Sequence, residues 1–355
     1  MMYTFGKKIV VDLFGKSHGP CVGCILKGLP AGMNIDFDKI SAEMELRKPV
    51  GRIGTPRREA DSVDFVQGVA NGKTDGNPIL MRIANGNTDG SKYMQFYDKP
   101  RPGHADLPAL LKFPDHDLRG SGQFSGRLTA ALVAAGAVAK QFISNYGIEI
   151  NAYTRSVGSF MDSSKRTSAE AHYSRNFATR ACDDELDASF RDCIEEAGER
   201  KDSVGGTVEC IISGLPIGFG GIWFEALDAE LSHAMFGIPA CKGVEFGDGF
   251  ALAFMHGSES NDPYRYTSDG RIVTEKNSLG GIVGGMCDGS DVTFRVAFKP
   301  TPSIGIVQDT INLRTCSNDT VEVEGRHDPC IVPRAVAVVE AMAALTVADQ
   351  IARGL

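Results

Sequence analysis

Two Ala/Val-rich stretches, 128–143 and 335–351, limit most sharply what this chain can fold into. Apart from Gly136 they contain neither Gly nor Pro, so both read as helices. Their apolar residues cover nearly the whole circumference instead of one stripe, so each helix must be covered on several sides. Short runs rich in Val, Ile and Phe surround them in sequence, at 63–66, 79–83, 208–212, 250–254 and 292–298, each bounded by Gly, Pro or Asp. These read as antiparallel strands. Inner helices flanked by such sheets give an α+β fold, a β-α-β sandwich with the Ala/Val-rich helices between antiparallel sheets.

The chain also repeats itself. Residues 17–32 read SHGPCVGCILKGLPAG and 203–218 read SVGGTVECIISGLPIG, so Gly28 and Gly214 both precede Leu-Pro. KPRP at 99–102 is echoed by KPTP at 299–302, and each is followed by an arginine, Arg127 or Arg334, that opens one of the Ala/Val-rich stretches. Ordered recurrence of three elements predicts an internal duplication with pseudo-twofold symmetry. The expected organisation is a single domain, 1–355, of two related halves, about 1–150 and 200–355, with a variable connection over 160–200.

With 355 residues, 42% of them apolar, the chain can bury about three quarters of its unfolded surface without metal or disulfide staples. Its formal charge of −8 disfavours nucleic acid as the main partner, because phosphate backbones are bound by basic surfaces. Any anion site must be built locally. No apolar stretch of signal-peptide length opens the sequence, and no membrane-spanning run is read in it, so a cytoplasmic protein is expected. Nine cysteines at irregular spacing fit a reducing compartment. The one CxxC pair, Cys21 and Cys24, lacks the second pair of a zinc ribbon, and no metal site is expected.

Local cations are concentrated at Arg47, Lys48, Arg52, Arg57 and Arg58. Pro49, Gly51, Gly54 and Pro56 interrupt the run, which excludes a basic helix face and leaves a loop able to wrap anionic groups with Arg forks. A solvated loop is the plain alternative. A second anion site is suggested by Arg119-Gly-Ser-Gly-Gln-Phe-Ser125-Gly-Arg127, a glycine-rich loop feeding the first central helix, with Ser125 as N-cap. Of seven histidines, His18 and His104 sit on tight turns, Gly15-Lys-Ser-His-Gly19 and Arg101-Pro-Gly-His-Ala-Asp106, near cationic residues. Imidazole can give or take a proton near neutrality. Asp328, in Gly325-Arg-His-Asp-Pro329, precedes the second central helix, where a cap or a salt bridge with Arg326 would be its structural role. The hydroxyls of 125–129 and 299–303 are accompanied by no GxSxG elbow, so a hydrolase triad is poorly supported, and neither a Walker loop nor a GxGxxG is present.

Taken in order, GKSHG, RPGHAD, SGLPIG, KGVEFGDGF, GGIVGGM, KPTPSI and GRHDPC resemble the blocks of the chorismate synthase family across nearly the whole chain, most weakly over 163–200. The resemblance implies conversion of 5-enolpyruvylshikimate 3-phosphate into chorismate and phosphate, a lyase reaction that requires reduced FMN with no net redox change. Such a cofactor suits the chemistry, because the hydrogen removed belongs to a very weak carbon acid.

The resemblance further implies that His18 assists the departing phosphate as an acid and that His104 protonates the reduced flavin. Asp328 would relay the proton taken from the substrate ring. Arg47, Arg52, Arg101 and Arg127 match family residues gripping a substrate of roughly four negative charges, each close pair being worth roughly 4 kcal/mol before desolvation. Flavin contacts would fall on Gln123, Phe124, Ser125, Pro239, Ala240, Gly284, Lys299, Pro300, Thr301, Pro302, Ser303 and Arg326. Where many members read RSSARET, this chain reads QFSGRLT over 123–129, keeping Ser125, Arg127 and Thr129. A homotetramer is implied as well. With no nicotinamide-binding motif visible, reduction of its own flavin by NADPH and an external supply of reduced flavin both stay open.

Two other functions would use the same features. A flavin-dependent reductase would consume reductant stoichiometrically. A non-enzymatic module binding phosphate ligands or RNA through the 47–58 loop would lose affinity steeply with salt and retain no flavin.

Overall fold

Alternation makes 292–298 a strand: Val292, Phe294, Val296 and Phe298 are buried, while Thr293, Arg295 and Ala297 between them are only half-buried. A computed structural model describes residues 3–54, 60–86, 91–113, 115–324 and 328–355, without the side chains of Arg52 and Lys92. In chain order the first half holds β1 (Tyr3–Phe5), β2 (Val10–Gly15), β3 (Cys21–Lys27), α1 (Phe37–Leu46), β4 (Asp64–Gln67), a hairpin of β5 (Val69–Ala70) and β6 (Lys73–Thr74), β7 (Ile79–Ala84), α2 (Asp106–Lys112) and α3 (Thr129–Ser144). The second begins with β8 (Glu149–Val157), β9 (Phe160–Met161), α4 (Ser168–Tyr173), α5 (Asp184–Glu199), β10 (Gly206–Ser213), α6 (Leu227–Phe236), β11 (Cys241–Phe246) and α7 (Gly257–Ser260). Hairpins of β12 (Tyr264–Tyr266) with β13 (Ile272–Thr274) and β14 (Ile282–Val283) with β15 (Met286–Cys287) follow, then β16 (Val292–Phe298), a hairpin of β17 (Gln308–Asn312) with β18 (Ser317–Val321), and α8 (Val332–Arg353).

Two antiparallel five-stranded sheets, ordered β1-β2-β3-β7-β4 and β11-β16-β10-β8-β9, enclose the central helices. α3 packs on β3 and β7, α8 packs on β8 and β10, and the two helices pack on each other. This is the α+β arrangement expected from their all-round apolar surfaces. A Cβ on Gly136 would lie 2.3 Å from the Ala341 Cβ and 2.4 Å from its Cα, so glycine lets the two helices meet. Gly136→Val should lower unfolding stability by about 3 kcal/mol through overpacking, and an unchanged urea midpoint would contradict that close contact. Corresponding strands follow the same order, β2-β3-β7-β4 in one sheet and β8-β10-β16-β11 in the other. Gly28 after β3 and Gly214 after β10 have φ of +89° and +83°, and a Cβ on either would strike a carbonyl oxygen of Lys8 or Gly147.

The connection over 160–200 carries α4 and α5. Tyr153 and Ile211, on the outer face of the second sheet, are buried with Ala171 and Cys182 from this segment. The run 250–254 corrects the expectation of a strand: it lies in a 3-10 turn, Gly249–Phe254, with Phe250 and Phe254 81% and 90% exposed. Gly249 has φ +56°, and the Phe250 amide donates to Glu245 Oε2 instead of to a ladder. α8, with mean hydropathy 1.6, is long and apolar enough to cross a membrane, although no such span was read in the sequence. It is a core helix, with 89% of its apolar window buried inside the fold. Cys24 is also core, with burial pushing its thiol up to about 12. Three residues apart on β3, Cys21 and Cys24 point to opposite faces and cannot act as a pair.

An ionic cluster ties both halves to the connection. Lys140 Nζ lies 2.6 Å from Glu43 and 2.5 Å from Glu340, and Arg175 reaches both carboxylates at 2.7 Å. Burial would raise the Glu43 pKa, but Lys140 and Arg175 overcome it and hold the group near about 2 instead of 4.5. A depressed carboxylate stabilises the fold above its unfolded pKa and loses that contribution as pH falls through the folded value. Thermal stability should therefore fall between about pH 5 and pH 2, and Glu43→Gln should flatten that limb. Equal acid sensitivity in the two proteins would show that the cluster is not responsible.

Candidate active site

The turn bearing His18 is closed locally and anchored from a distant strand end. Gly19 N donates to Lys16 O at 3.1 Å, and Asn85 Nδ2 donates to the carbonyls of Lys16 and Gly19, both at 2.9 Å. The glycine-rich loop lies over it, with Ser17 N donating to Gly122 O at 3.3 Å. Gly120, Ser121 and Gly122 all have left-handed φ, of 57°, 68° and 52°. A Cβ on Gly120 would fall 1.9 Å from His18 Nδ1, so only glycine lets the loop cover the imidazole. The His18 ring meets Tyr93 edge-on at 5.5 Å. Gly120→Ala should displace that ring and cut turnover about 10-fold; full activity would mean that His18 can move without consequence.

Arg101 is 4% exposed and its guanidinium is directed into the protein. Nε and Nη2 donate to Asp106 at 2.7 and 2.8 Å, Nη1 donates to Ser303 Oγ at 2.9 Å, and Nη2 donates to Ser121 Oγ at 3.2 Å. Its Cζ stands 4.5 Å from the Phe96 ring centroid and 5.7 Å from that of Tyr93. Arg101 joins the glycine-rich loop of one half to the 299–303 loop of the other. Asp106, the first residue of α2, is fully buried, and its Oδ1 lies 2.6 Å from His104 Nδ1. Burial lowers the His104 pKa, the Asp106 hydrogen bond raises it, and the Arg101 charge lowers it, leaving it below its ordinary value. Burial would raise the Asp106 pKa, but Arg101 and His104 hold it well below the carboxylate range.

The loop following β16 completes this wall. A Cβ on Gly103 would lie 3.5 Å from Pro302 Cβ, Lys299 N donates to Ala240 O at 3.1 Å, and Ser203 Oγ donates to Thr301 O at 2.7 Å. Burial and the nearby Lys242 charge lower the Lys299 pKa. Thr301 Oγ1 donates to Asp328 O at 2.9 Å, which brings Asp328 to the same loop. Asp328 Oδ2 accepts from Arg334, while its buried Oδ1 has no hydrogen-bond partner among the described residues. Asp328 does not cap α8, whose N-cap is Ile331.

Arg47 and Arg127 share one carboxylate. Arg47 donates to Asp61 Oδ2 and to Thr129 Oγ1, both at 3.0 Å, and to Gly126 O at 3.1 Å. Arg127 donates to Asp61 Oδ1, to Asn85 Oδ1 at 3.0 Å and to Ala84 O at 3.1 Å. Asn85 thus links this pair to the His18 turn. Ser125 Oγ accepts from Arg127 N at 3.3 Å and caps the turn leading into α3. Gln123 Oε1 accepts from Tyr3 Oη at 3.0 Å, and Phe124 packs against His116.

The structure therefore draws His18, His104, Arg101, Gln123 to Ser125, Lys299 to Ser303 and Asp328 into one chain of contacts, with Arg47 and Arg127 joined through Asn85. Pro239 and Ala240 adjoin Lys299, and Ala240 has φ +69°. Gly284, with φ +61°, lies on the turn between β14 and β15. Its hairpin is held to the first residues of β16, where Thr293 N donates to Gly280 O at 3.1 Å, whereas Lys299 follows the last. The Arg52 side chain and residues Arg57, Arg58, Arg326 and His327 lie outside the described residues. Sequence reasoning missed Asp61, Asn85, Tyr93, Asp106 and Ser121. Only Asp106 had a usable signal, an acid two residues from His104 at the start of a helix.

The family model described as chorismate synthase matches residues 9–352. The chain is 45% identical over 354 residues to a chorismate synthase of Dehalococcoides mccartyi, spanning 98% of this chain and 96% of that one. It is likewise 45% identical over 351 residues to one of Thermococcus gammatolerans, spanning 98% and 97%. A crystal structure of chorismate synthase superposes with a TM-score of 0.79 at 29% identity, covering 99% of this chain and 94% of the other.

Proposed function

This chain belongs to the chorismate synthase family, a family of lyases, and we propose that it catalyses anti-1,4-elimination of phosphate from 5-enolpyruvylshikimate 3-phosphate to give chorismate. One observation carries the reading: the buried Arg101 guanidinium beside His104 bonds both the glycine-rich loop that covers His18 and the Lys299–Ser303 loop, to which the Asp328 backbone is also tied. That donor set fits a reduced FMN. Ser125, Ser303 and Thr301 offer hydroxyls, Lys299 a cation, and the left-handed Ala240 and glycine-rich loop close backbone approach. When bound, reduced FMN supplies the electron density that the elimination needs and recovers it, leaving no net redox change.

The chain's own groups hold charge and protons. His18 would hold a proton for the leaving phosphate oxygen, and His104 would serve as proton donor to the bound cofactor. Asp328 Oδ1 is an acceptor for the proton lost from the ring. Arg47 and Arg127, both held by Asp61, would attract the anionic substrate. Arg52 would add to that attraction. Arg101 would add charge for the substrate, and its hydrogen bonds to Asp106, Ser121 and Ser303 align the two loops.

The deciding experiment is anaerobic. The protein is mixed with reduced FMN and 5-enolpyruvylshikimate 3-phosphate while chorismate absorbance and flavin redox state are followed together. Chorismate should form with the flavin reduced at the end; stoichiometric flavin oxidation would favour a reductase, and the lack of product would defeat the proposal.

A homotetramer fits the large exposed side chains Trp223 and Phe224 of one turn and Phe250 and Phe254 of another, since exposed apolar groups mark contact sites. Light scattering of the purified protein tests it. A cytoplasmic location fits nine free cysteines. The matching strand orders and the Gly28 and Gly214 turns support descent of the two halves from one duplicated unit.

A further inference from the structure

We propose that Asp106 is a positioning residue that fixes His104 in the tautomer carrying its proton on Nδ1, leaving Nε2 as the nitrogen that exchanges protons in the site. The inference rests on the reading of His104 as a proton-transfer group. Asp106 has no exposed surface, and its Oδ1 stands 2.6 Å from His104 Nδ1. Arg101 Nη2 also approaches that nitrogen, at 3.2 Å. The two neighbours ask for opposite tautomers: a carboxylate accepts from an Nδ1–H, whereas a guanidinium donates to a bare Nδ1.

Distance and satisfiability decide between them. The carboxylate is nearer by 0.6 Å, the difference between 3.2 and 2.6 Å, and is held ionised by its own ion pair with Arg101. Arg101 Nη2 has better uses for its two hydrogens, at 2.8 Å to Asp106 Oδ1 and 3.2 Å to Ser121 Oγ. Its approach to His104 is therefore proximity without donation, and Nδ1 carries the hydrogen. The same carboxylate accepts from the Arg101 backbone amide at 3.2 Å and from Nε at 2.7 Å, so it also fixes the turn from which His104 projects. Asp106 thereby sets both the direction and the protonation pattern of the ring, a role that a buried carboxylate beside a catalytic imidazole fills in other enzymes.

Asp106→Asn tests the idea, since an amide keeps the volume. Its oxygen would stay with the Arg101 guanidinium and its NH2 would face Nδ1, reversing the tautomer. Nitrogen chemical shifts of ¹⁵N-histidine-labelled protein, with His104 identified through His104→Gln, should report the Nδ1–H form in wild type and the Nε2–H form in Asp106→Asn. This readout needs no cofactor or turnover. Turnover should fall about 100-fold with little change in substrate KM, and the alkaline limb of the pH profile, where the proton donor is lost, should move to lower pH, because the lost carboxylate no longer favours the imidazolium. The Nε2–H form in wild type, or an unchanged tautomer in the variant, would overturn the proposal. The wild-type spectrum decides even if the variant does not fold. Loss of chorismate formation in wild type would instead count against the enzymatic reading and leave the tautomer result standing.

Discussion

His104→Ala is expected to lower turnover about 1000-fold, the middle of the range for removing a positioned acid–base group, while affinity for reduced FMN changes by no more than about 3-fold. The split follows from geometry. His104 is fixed through Asp106, whereas the hydroxyls and cation proposed to hold FMN come from Ser125 and the Lys299–Ser303 loop, which do not depend on the imidazole. Anaerobic flavin titration and single-turnover kinetics on the same preparation would check it. Parallel loss of both quantities would mean that His104 serves binding; loss of neither would remove it from the mechanism.

Arg101→Met is expected to destabilise the protein by about 4 kcal/mol, because it leaves the Asp106 carboxylate buried without its principal cation. The group faces both Nε and Nη2 of Arg101 and has no exposed surface through which water could replace them. The same change removes the donors to Ser121 and Ser303, so the glycine-rich loop should come away from the Lys299–Ser303 loop. Urea unfolding gives the magnitude, and hydrogen exchange over 119–125 and 299–303 gives the location. Combining it with Asp106→Leu should recover much of the loss, since removing both charges avoids stranding one. If the single variant matched wild type in stability, the pair would contribute little to holding the two loops together.

How far the sequence could be read depended on whether a feature was local. The central helices were legible because all-round apolar surface and the lack of breakers act over a few turns, and α3 and α8 lie where those stretches begin and end to within three residues. The run 250–254 was misread because an apolar segment is a strand only when a neighbour offers a ladder, and here Gly249 and the Glu245 carboxylate turn the chain away first. In the site, the tight turns identified His18 and His104, and the capped glycine-rich loop was visible at Ser125. The partners of the arginines were not. Asp61 stands 14 residues from Arg47 and 66 from Arg127, and Ser303 stands 202 from Arg101.

By itself the sequence determined the helices at the centre, the strand alternation, the turns presenting the two imidazoles and the match to a family, all of which follow from residues close together along the chain. Only the tertiary structure decided which carboxylate neutralises which guanidinium, and that Arg101 bridges the glycine-rich loop of one half and the Lys299–Ser303 loop of the other. Hydrogen-bond energy depends on distances of a few tenths of an ångström, and those are set by how the two sheets close on α3 and α8, a property that no local pattern encodes.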